Sequence, residues 1–434
     1  MTHTQNHQYF PRITLEAFAD NYTPDTTNIR FVANRSTVYE ATALPAAHLS
    51  SASRGSGQGK NSGRGRRGGQ EENVQGELTL SSVRPDHHIK VHNVQDHITT
   101  LTDVTRAYAV ENMYQGIDEA DCTALDNRIA TLEENSSAFI RRFGGKVDPW
   151  LTRAHLFDLK KFLTVMGYRA EHRWRQYHNN AFDVPTRVSI LYHMGRRRLA
   201  RMQDVWFDNL KWLAETPADD ISEEHMKMLR RMDTPTAAGI VAAVKEYQGP
   251  VHAYELREFY DLCTAFVCVW EAEEGSEFIL SNNCFGTFER RMSMDIHRFY
   301  VVSPRYAIVL VNRECIVGTM KSMASKMSWF RDRLRPVPLA VYKKRPDPTS
   351  PSDFTPDDVF KYQRGAASKR DVHLVNSILL DTRPKYLTFK SSLAMYKTLR
   401  YYDEIKHDWN MFECPHDYSH LKRELFADMN RTHS

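Results

Sequence analysis

The feature that most limits the fold is a change in the spacing of apolar residues past the middle of the chain. From Leu125 they recur at helical spacing: Leu125, Ile129, Leu132, Phe139 and Phe143 share a face, and Gly144-Gly145 ends the run. A second run is predicted to begin at Asp148-Pro149, an N-cap and first-turn pair, and carries Leu156, Leu159, Leu163, Met166, Ala170, Trp174 and Tyr177. A third takes in Ile190, Met194, Met202, Val205 and Leu213, and a fourth opens near Asp220. After Tyr254 the pattern becomes that of strands: TAFVCVWEA, EFILS, HRFYVVS and RYAIVLV, the last two parted by Ser303-Pro304. Ile29 to Ala41, IRFVANRSTVYEA, alternates about Asn34-Arg35-Ser36 as a hairpin does, and short helical stretches follow at about Asp371 to Asp381 and Ser391 to Glu404. The predicted class is α+β: one mainly antiparallel sheet, with the early hairpin in it, packed on a central group of helices.

Composition matters where the pattern breaks. Ser50 to Gly69 holds five basic residues (Arg54, Lys60, Arg64, Arg66, Arg67) and no acidic one; without them the formal charge of +4 falls to about −1. The folded part is therefore near neutral, and the basic excess sits in a Gly/Ser/Arg tract with no apolar surface to form a core. Three regions are expected: 1–45 as part of the core, 46–77 as a disordered insert, and 78–434 as the remainder of one domain. Arg54, Arg64, Arg66 and Arg67 make the insert either a solvated linker or an RNA-binding arm, since Arg-Gly segments hold RNA by phosphate attraction and stacking.

No apolar run approaches the roughly 18 residues that span a bilayer; AFVCVW and YAIVLV have the length of buried strands. No membrane partner is expected. MTHTQNHQYF lacks the apolar core of a signal peptide, and six scattered cysteines form no CxxC pair. An intracellular, reducing location, cytoplasmic or nuclear, is the expectation, without a cofactor motif or a zinc ribbon.

Several polar stretches are candidate sites. FILSNNCF, Phe278 to Phe285, ends an apolar run in Ser281, Asn282, Asn283 and Cys284. It reads as a strand cap built on asparagine, as a ligand-binding tip, or as a nucleophile in Ser281 or Cys284 awaiting a base. DHHIKVHNVQDH brings His87, His88, His92 and His97 together; on a helix, His88 and His92 would share a face at metal-chelating spacing, and otherwise they are surface histidines. GRRRLAR, Gly195 to Arg201, is a solvated helix face or a phosphate clamp.

The order of these motifs resembles the domain-of-unknown-function 4238 family. HQYFPRITLEAFA places Tyr9, Pro11, Leu15 and Phe18 where that family's opening has them; LDNRIATLEENSSAFI with Glu133, FLTVMGYRAEHR with Arg169, FILSNNCF, YVVSPRYAIVL with Ser303, and VNSILLDTRPKYLTF with Asn376 follow in order. The resemblance implies a pocket drawn from His7, Gln8, Glu133, Arg169, Ser281, Asn282, Asn283, Ser303 and Asn376. It departs from the family pattern at three positions: Gln8 stands where the pattern has histidine, Asn282 where it has aspartate, and Cys284 where it has proline. An amide keeps the shape and the hydrogen bonds but not the titration. Arg169, on a patterned helix, needs an acidic or carbonyl partner, and Glu133 is the expected one.

Three functions follow. The leading reading is a ligand-binding or interaction protein on a degenerate family scaffold. The alternatives are a hydrolase, nuclease-like, using Ser281, His7, Glu133 and Arg169, and an RNA-associated protein acting through the Arg-Gly insert. Deleting residues 50–69 separates the last from the others: RNA retention on an oligonucleotide column should be lost while the melting temperature moves by no more than about 2 °C, as expected for a segment outside the core.

Overall fold

In a computed structural model of the chain, the described residues are 6–8, 10–19, 31–32, 38–39, 88–145, 150–230, 246–283, 285, 287–291, 294–311, 338–339, 358–362, 364–407, 412 and 415–432. Every structural statement below concerns these residues. The basic tract at 50–69 lies outside them. Chain contacts divide the molecule into two units, 1–27 with 86–434, and 28–85, so both expected boundaries of the insert fall inside the second unit. Of that unit, strands β2 (Phe31–Val32) and β3 (Val38–Tyr39) pair antiparallel, giving the expected hairpin as a two-stranded sheet of its own.

The first unit opens on β1 (Asn6–Gln8) and a short helix, α1 (Arg12–Phe18), which buries Ile13, Leu15, Ala17 and Phe18. A hairpin follows, β4 (His88–Asn93) and β5 (Ile98–Asp103), and then β6 (Ala109–Glu111), which pairs with β1. The histidine stretch is therefore strand and not helix. His88 and His92 sit four apart on a strand, where the helical chelating geometry does not exist.

The helical middle is present, with corrections to its joints. Helix α2 (Glu119–Ile140) starts where the Asp118 carboxylate accepts the Ala120 and Asp121 amides. Trp150–Thr152, predicted as the first turn of a helix begun at Asp148-Pro149, is instead a strand, β7, because its backbone pairs with Val359–Lys361. Helix α3 (Arg153–Arg169) begins only after Thr152 accepts the His155 amide. The predicted second run breaks at Ala170, whose extended backbone (φ −54°, ψ 148°) separates α3 from α4 (Glu171–His178). The third run breaks at Arg198, left-handed at φ 56°, into α5 (Val184–Arg197) and α6 (Met202–Glu215). Periodicity alone passes through such joints because a kink changes the helix axis without changing which residues are apolar. Helices α7 (Ala218–Leu229) and α8 (Ala253–Thr264) complete the group; α8 occupies the point where strands were expected to begin.

The remaining elements are strands β8 (Phe266–Ala272), β9 (Leu280–Ser281), β10 (Thr287–Arg291), β11 (Met294–Val301), β12 (Tyr306–Val311), β13 (Pro338–Leu339), β14 (Val359–Tyr362), β15 (Arg364–Ala367) and β16 (Tyr386–Thr388), and helices α9 (Lys369–Asp381), α10 (Ser392–Ile405) and α11 (Ser419–Thr432). The class is α+β with antiparallel sheets, as predicted, but the single sheet is divided. Its main part runs β10-β11-β12-β8-β15, antiparallel except for β15, which lies parallel to β8. Strand β9 leaves it and joins β5-β4-β16, while β7 joins β13-β14. The departure of β9 positions the FILSNN segment, as described below. No helix of the described residues is long and apolar enough to cross a membrane.

Helix α3 lies at the centre of the core. Every residue from Leu159 to Arg169 is buried, so the helix has no solvent face onto which to turn its cations. Lys160 and Lys161 solve this at other helices' ends. Lys160 Nζ donates to the Cys263 carbonyl in the last turn of α8 at 3.2 Å; Lys161 Nζ donates to the Ala214 carbonyl at 3.4 Å and to that of Thr216, closing α6. Arg128 from α2 donates to the same Ala214 oxygen at 3.1 Å. A cation at a helix C-terminus meets carbonyls that lack an intrahelical donor, along with the negative end of the dipole. Burial lowers the pKa of both lysines to about 8. Replacing Lys161 with Met should cost roughly 1–3 kcal/mol in urea denaturation, because two buried carbonyls lose a donor that a thioether cannot replace.

Candidate functional site

Gln8 and His7 lie on β1, opposite Ala109 and Val110 of β6; their side chains fall outside the described residues. The chain then turns into α1, whose first amides point at α2. Glu133 Oε1 accepts the Ile13 amide at 3.4 Å. Burial raises the Glu133 pKa, and the Ile13 and Arg12 amides and the charge of Arg169 act the other way. Glu133 therefore caps α1, which answers the need created by Pro11, a residue with no side-chain acceptor to cap the helix itself.

Arg169 is not bonded to Glu133, as the sequence had suggested. Its Nη2 donates to Asp126 Oδ1 at 2.9 Å, the same oxygen that accepts the Tyr114 hydroxyl at 3.2 Å, and its guanidinium lies over the Tyr114 ring at 5.6 Å. Asp126 and Glu133 are seven residues apart and so share a face of α2, two turns from one another. Arg169 reaches the first directly and the second through its field.

The FILSNN segment is held by backbone and amide bonds throughout. Asn376 on α9, fully buried, accepts the Ile279 amide at 3.2 Å and donates to the Glu277 carbonyl at 2.8 Å and to Thr398 at 3.2 Å. Asn282 Oδ1 accepts two amides, Lys385 at 2.8 Å and Tyr386 at 3.1 Å, and its Nδ2 donates to Asn283 Oδ1 at 3.1 Å. Asn283 Nδ2 donates to the Thr382 carbonyl at the end of α9 at 3.3 Å. Ser281 is buried, its Oγ accepting the Asn283 amide at 3.3 Å. Ser303 is a turn residue whose Oγ accepts the Tyr306 amide at 2.9 Å and the Arg305 amide at 3.2 Å. Asn376 thus serves the backbone of this segment, while Asn282 and Asn283 bond the strand and the helix end beside it. An aspartate at position 282 would accept the same two amides.

These candidates form two groups, each with its own partners. Glu133 and Arg169 belong to the α1-α2-α3 contact; Ser281, Asn282, Asn283 and Asn376 belong to the contact of β9 with α9 and β16. Between them lies Phe285, packed on Phe10 at 5.5 Å and on Tyr300 at 5.1 Å between ring centres. Its carbonyl faces Gly167, where a Cβ would stand 3.4 Å away.

Of the histidines, His87 is outside the described residues. His92 is buried with Nδ1 2.9 Å from Thr99 Oγ1, and His97 stacks on His420 of α11 at 4.2 Å. Among the described residues no group of three or more His, Cys, Asp or Glu side chains could hold a metal ion. In the GRRRLAR stretch, Arg196 donates to the Tyr247 carbonyl at 2.6 Å, Arg197 pairs with Asp208 at 2.9 Å and Arg201 with Asp204 at 2.6 Å. Three of its four guanidiniums are engaged in local structure.

The largest ionic cluster was not anticipated. Arg173 of α4 and Arg298 of β11 each bond one oxygen of Glu258 on α8. Arg173 also pairs with Glu255 at 3.1 Å, and Glu255 accepts the Tyr177 hydroxyl at 2.5 Å. The Tyr177 hydroxyl accepts that of Tyr168 at 3.3 Å, and Tyr168 accepts Asn209 Nδ2 at 3.2 Å. Against the opposing effect of burial, the two guanidiniums hold the Glu258 pKa down at about 2, whereas burial raises that of Glu255. His172 stands exposed beside them. Arg173 and Glu258 keep 22% and 24% of their side chains exposed, so the cluster reaches solvent. Its members come from three distant segments, and the only local signal was the i, i+3 spacing of Glu255 and Glu258.

Glu277 was missed for a similar reason. Its Oε1 accepts the Lys390 amide at 2.9 Å and the Ser391 amide at 2.8 Å, at the start of α10. Burial raises its pKa to about 7, against those two bonds and the charge of Lys390. A carboxyl whose folded pKa exceeds its ordinary value of 4.5 stabilises most below that value, and the contribution is lost as pH rises through about 7. Glu277→Gln keeps the accepting oxygen and removes the titration. Melts from pH 5 to pH 8 should therefore show the variant gaining on the parent, by roughly 1–3 kcal/mol at the alkaline end.

Comparison with known proteins comes down to one match. A family described as "Protein of unknown function (DUF4238)" matches residues 6–392. No curated protein and no solved structure matches the chain. With nearly all of the described core inside the matched span, the chain belongs to the DUF4238 family.

Proposed function

We propose that this chain is a ligand-binding protein and not a hydrolase, and that its ligand engages the recess around Arg173, Arg298 and Glu258. The observation that carries the reading is the convergence of two guanidiniums on one carboxylate at the edge of solvent. Arginine forks are suited to carboxylate and phosphate, and a bound anion would replace Glu258 on partners already in position.

Binding is favoured over hydrolysis by the bonds already made at the FILSNN tip. Ser281, Asn282 and Asn283 are engaged with backbone groups, and a nucleophile needs a base free to take its proton. A Ser–His hydrogen bond occurs elsewhere, Ser189 Oγ to His252 Nε2 at 2.9 Å, but burial pushes the His252 pKa to about 3, which makes it a weak base near neutrality. RNA association through Arg54, Arg64, Arg66 and Arg67 rests on sequence alone.

Calorimetric titration with inorganic phosphate and with malonate tests the proposal. One of them should bind, Arg298→Lys should weaken it about tenfold by removing the fork, and Glu258→Gln should tighten it by removing the internal competitor. Absence of binding by both anions, with the two variants lowering only the melting temperature, would make the cluster a structural brace and end this reading.

A further inference from the structure

Helices α10 and α11 lie beyond residue 392, where the family match ends, apart from the first residue of α10. They run antiparallel and leave an open groove of about 940 Å³ between them, lined by Tyr396, Arg400 and Glu404 from α10 and by Lys422, Arg423 and Phe426 from α11. The groove has two unlike ends. At one, Phe426 is 53% exposed and its ring lies 6.3 Å from that of Tyr396; Leu393, 49% exposed, is one turn from Tyr396. At the other, Asp403 is held by Lys406 at 2.9 Å and by Lys422.

Between those ends cations outnumber acids, Arg400, Arg423 and Lys397 standing against Glu404. Arg400 and Arg423 make no ion pair among the described residues, and exposed Lys397 beside them makes none either. Lys422 lies along the same wall, its charge already matched by Asp403. An aromatic anchor point flanked by unmatched cations, in a channel between two helices, fits an apolar side chain with carboxylates on either side of it.

We infer that this groove docks an acidic amphipathic segment of a partner protein, its apolar residues on Tyr396 and Phe426 and its carboxylates on Arg400 and Arg423. In helix-in-groove recognition the anchors recur at i, i+3, i+4 and i+7. A nucleic acid is the less favoured occupant, because Asp403 and Glu404 interrupt the run of cations that a phosphate backbone would follow, whereas separate carboxylates on a helix can be set against Arg400 and Arg423 alone.

The probe is a fluorescein-labelled synthetic helix of about four turns, with Leu and Phe at the anchor positions and Glu elsewhere. Its anisotropy is followed with the full chain. Micromolar binding is expected, weakened about tenfold or more by Phe426→Ala and by the Arg400→Glu, Arg423→Glu pair. The charge-reversed pair should instead bind the same peptide with Lys in place of Glu, a gain that loss of folding cannot produce. All three positions are exposed, so the variants should melt with the parent. Leu191→Ser, on the separate exposed apolar face of α5, should leave binding unchanged. Equal binding of the Glu and Lys peptides, binding indifferent to Phe426, or preferential binding of oligouridine lost on charge reversal would each overturn the inference.

Discussion

Enclosure of helix α3 from Leu159 to its C-terminal end is the constraint on which the rest of the structure depends. A helix buried from Leu159 to Arg169 must hand every polar group to a partner inside the protein, and Lys160, Lys161 and Arg169 do so in three directions. Two of those bonds close the C-termini of α8 and α6, and the third ties α3 to α2. The lysines fix where α6 and α8 end, and the position of α8 in turn sets where Glu255 and Glu258 meet Arg173. The ionic cluster is thus a consequence of how the central helix satisfies its own buried charge.

The same requirement explains the other polar concentration. Once β9 leaves β8 to pair with β16, the backbone from Glu277 to Asn283 loses a neighbouring strand and needs donors and acceptors from side chains. Asn376, with one acceptor and two donors on one rigid group, serves the segment from α9, and Asn282 returns the service to the start of β16. Such positions are held by hydrogen-bonding shape, and their polar character is no sign of chemistry. At position 282 asparagine and aspartate alike would accept the two amides.

Electrostatic opportunity lies where the packing leaves it. The Arg173, Arg298 and Glu258 cluster retains a solvent edge, and the α10-α11 groove retains Arg400 and Arg423 outside any ion pair among the described residues, its Asp403 being held by Lys406 and Lys422. In both places a charged partner finds groups whose desolvation has partly been met by the fold.

The α+β class and most helices and strands were legible in the sequence, because apolar spacing is set by which face meets the core. Family membership was legible as well, in the order of the motifs from His7 to Asn376. The spacing could not show the breaks at Ala170 and Arg198, the loss of β9 to a second sheet, or the strand at Trp150–Thr152, each of which depends on a backbone partner distant in the chain. Nor could it assign partners to charges. Arg169 and Glu133 were expected to pair, yet the arginine bonds Asp126 and the glutamate caps α1, because a long side chain takes whichever acceptor the packing of helices brings within about 3 Å. Sequence determined which residues must be inside and which polar groups would need partners there; only the tertiary structure decided the pairing, because hydrogen bonds and ion pairs act over a few ångströms and sequence separation does not fix distance at that scale.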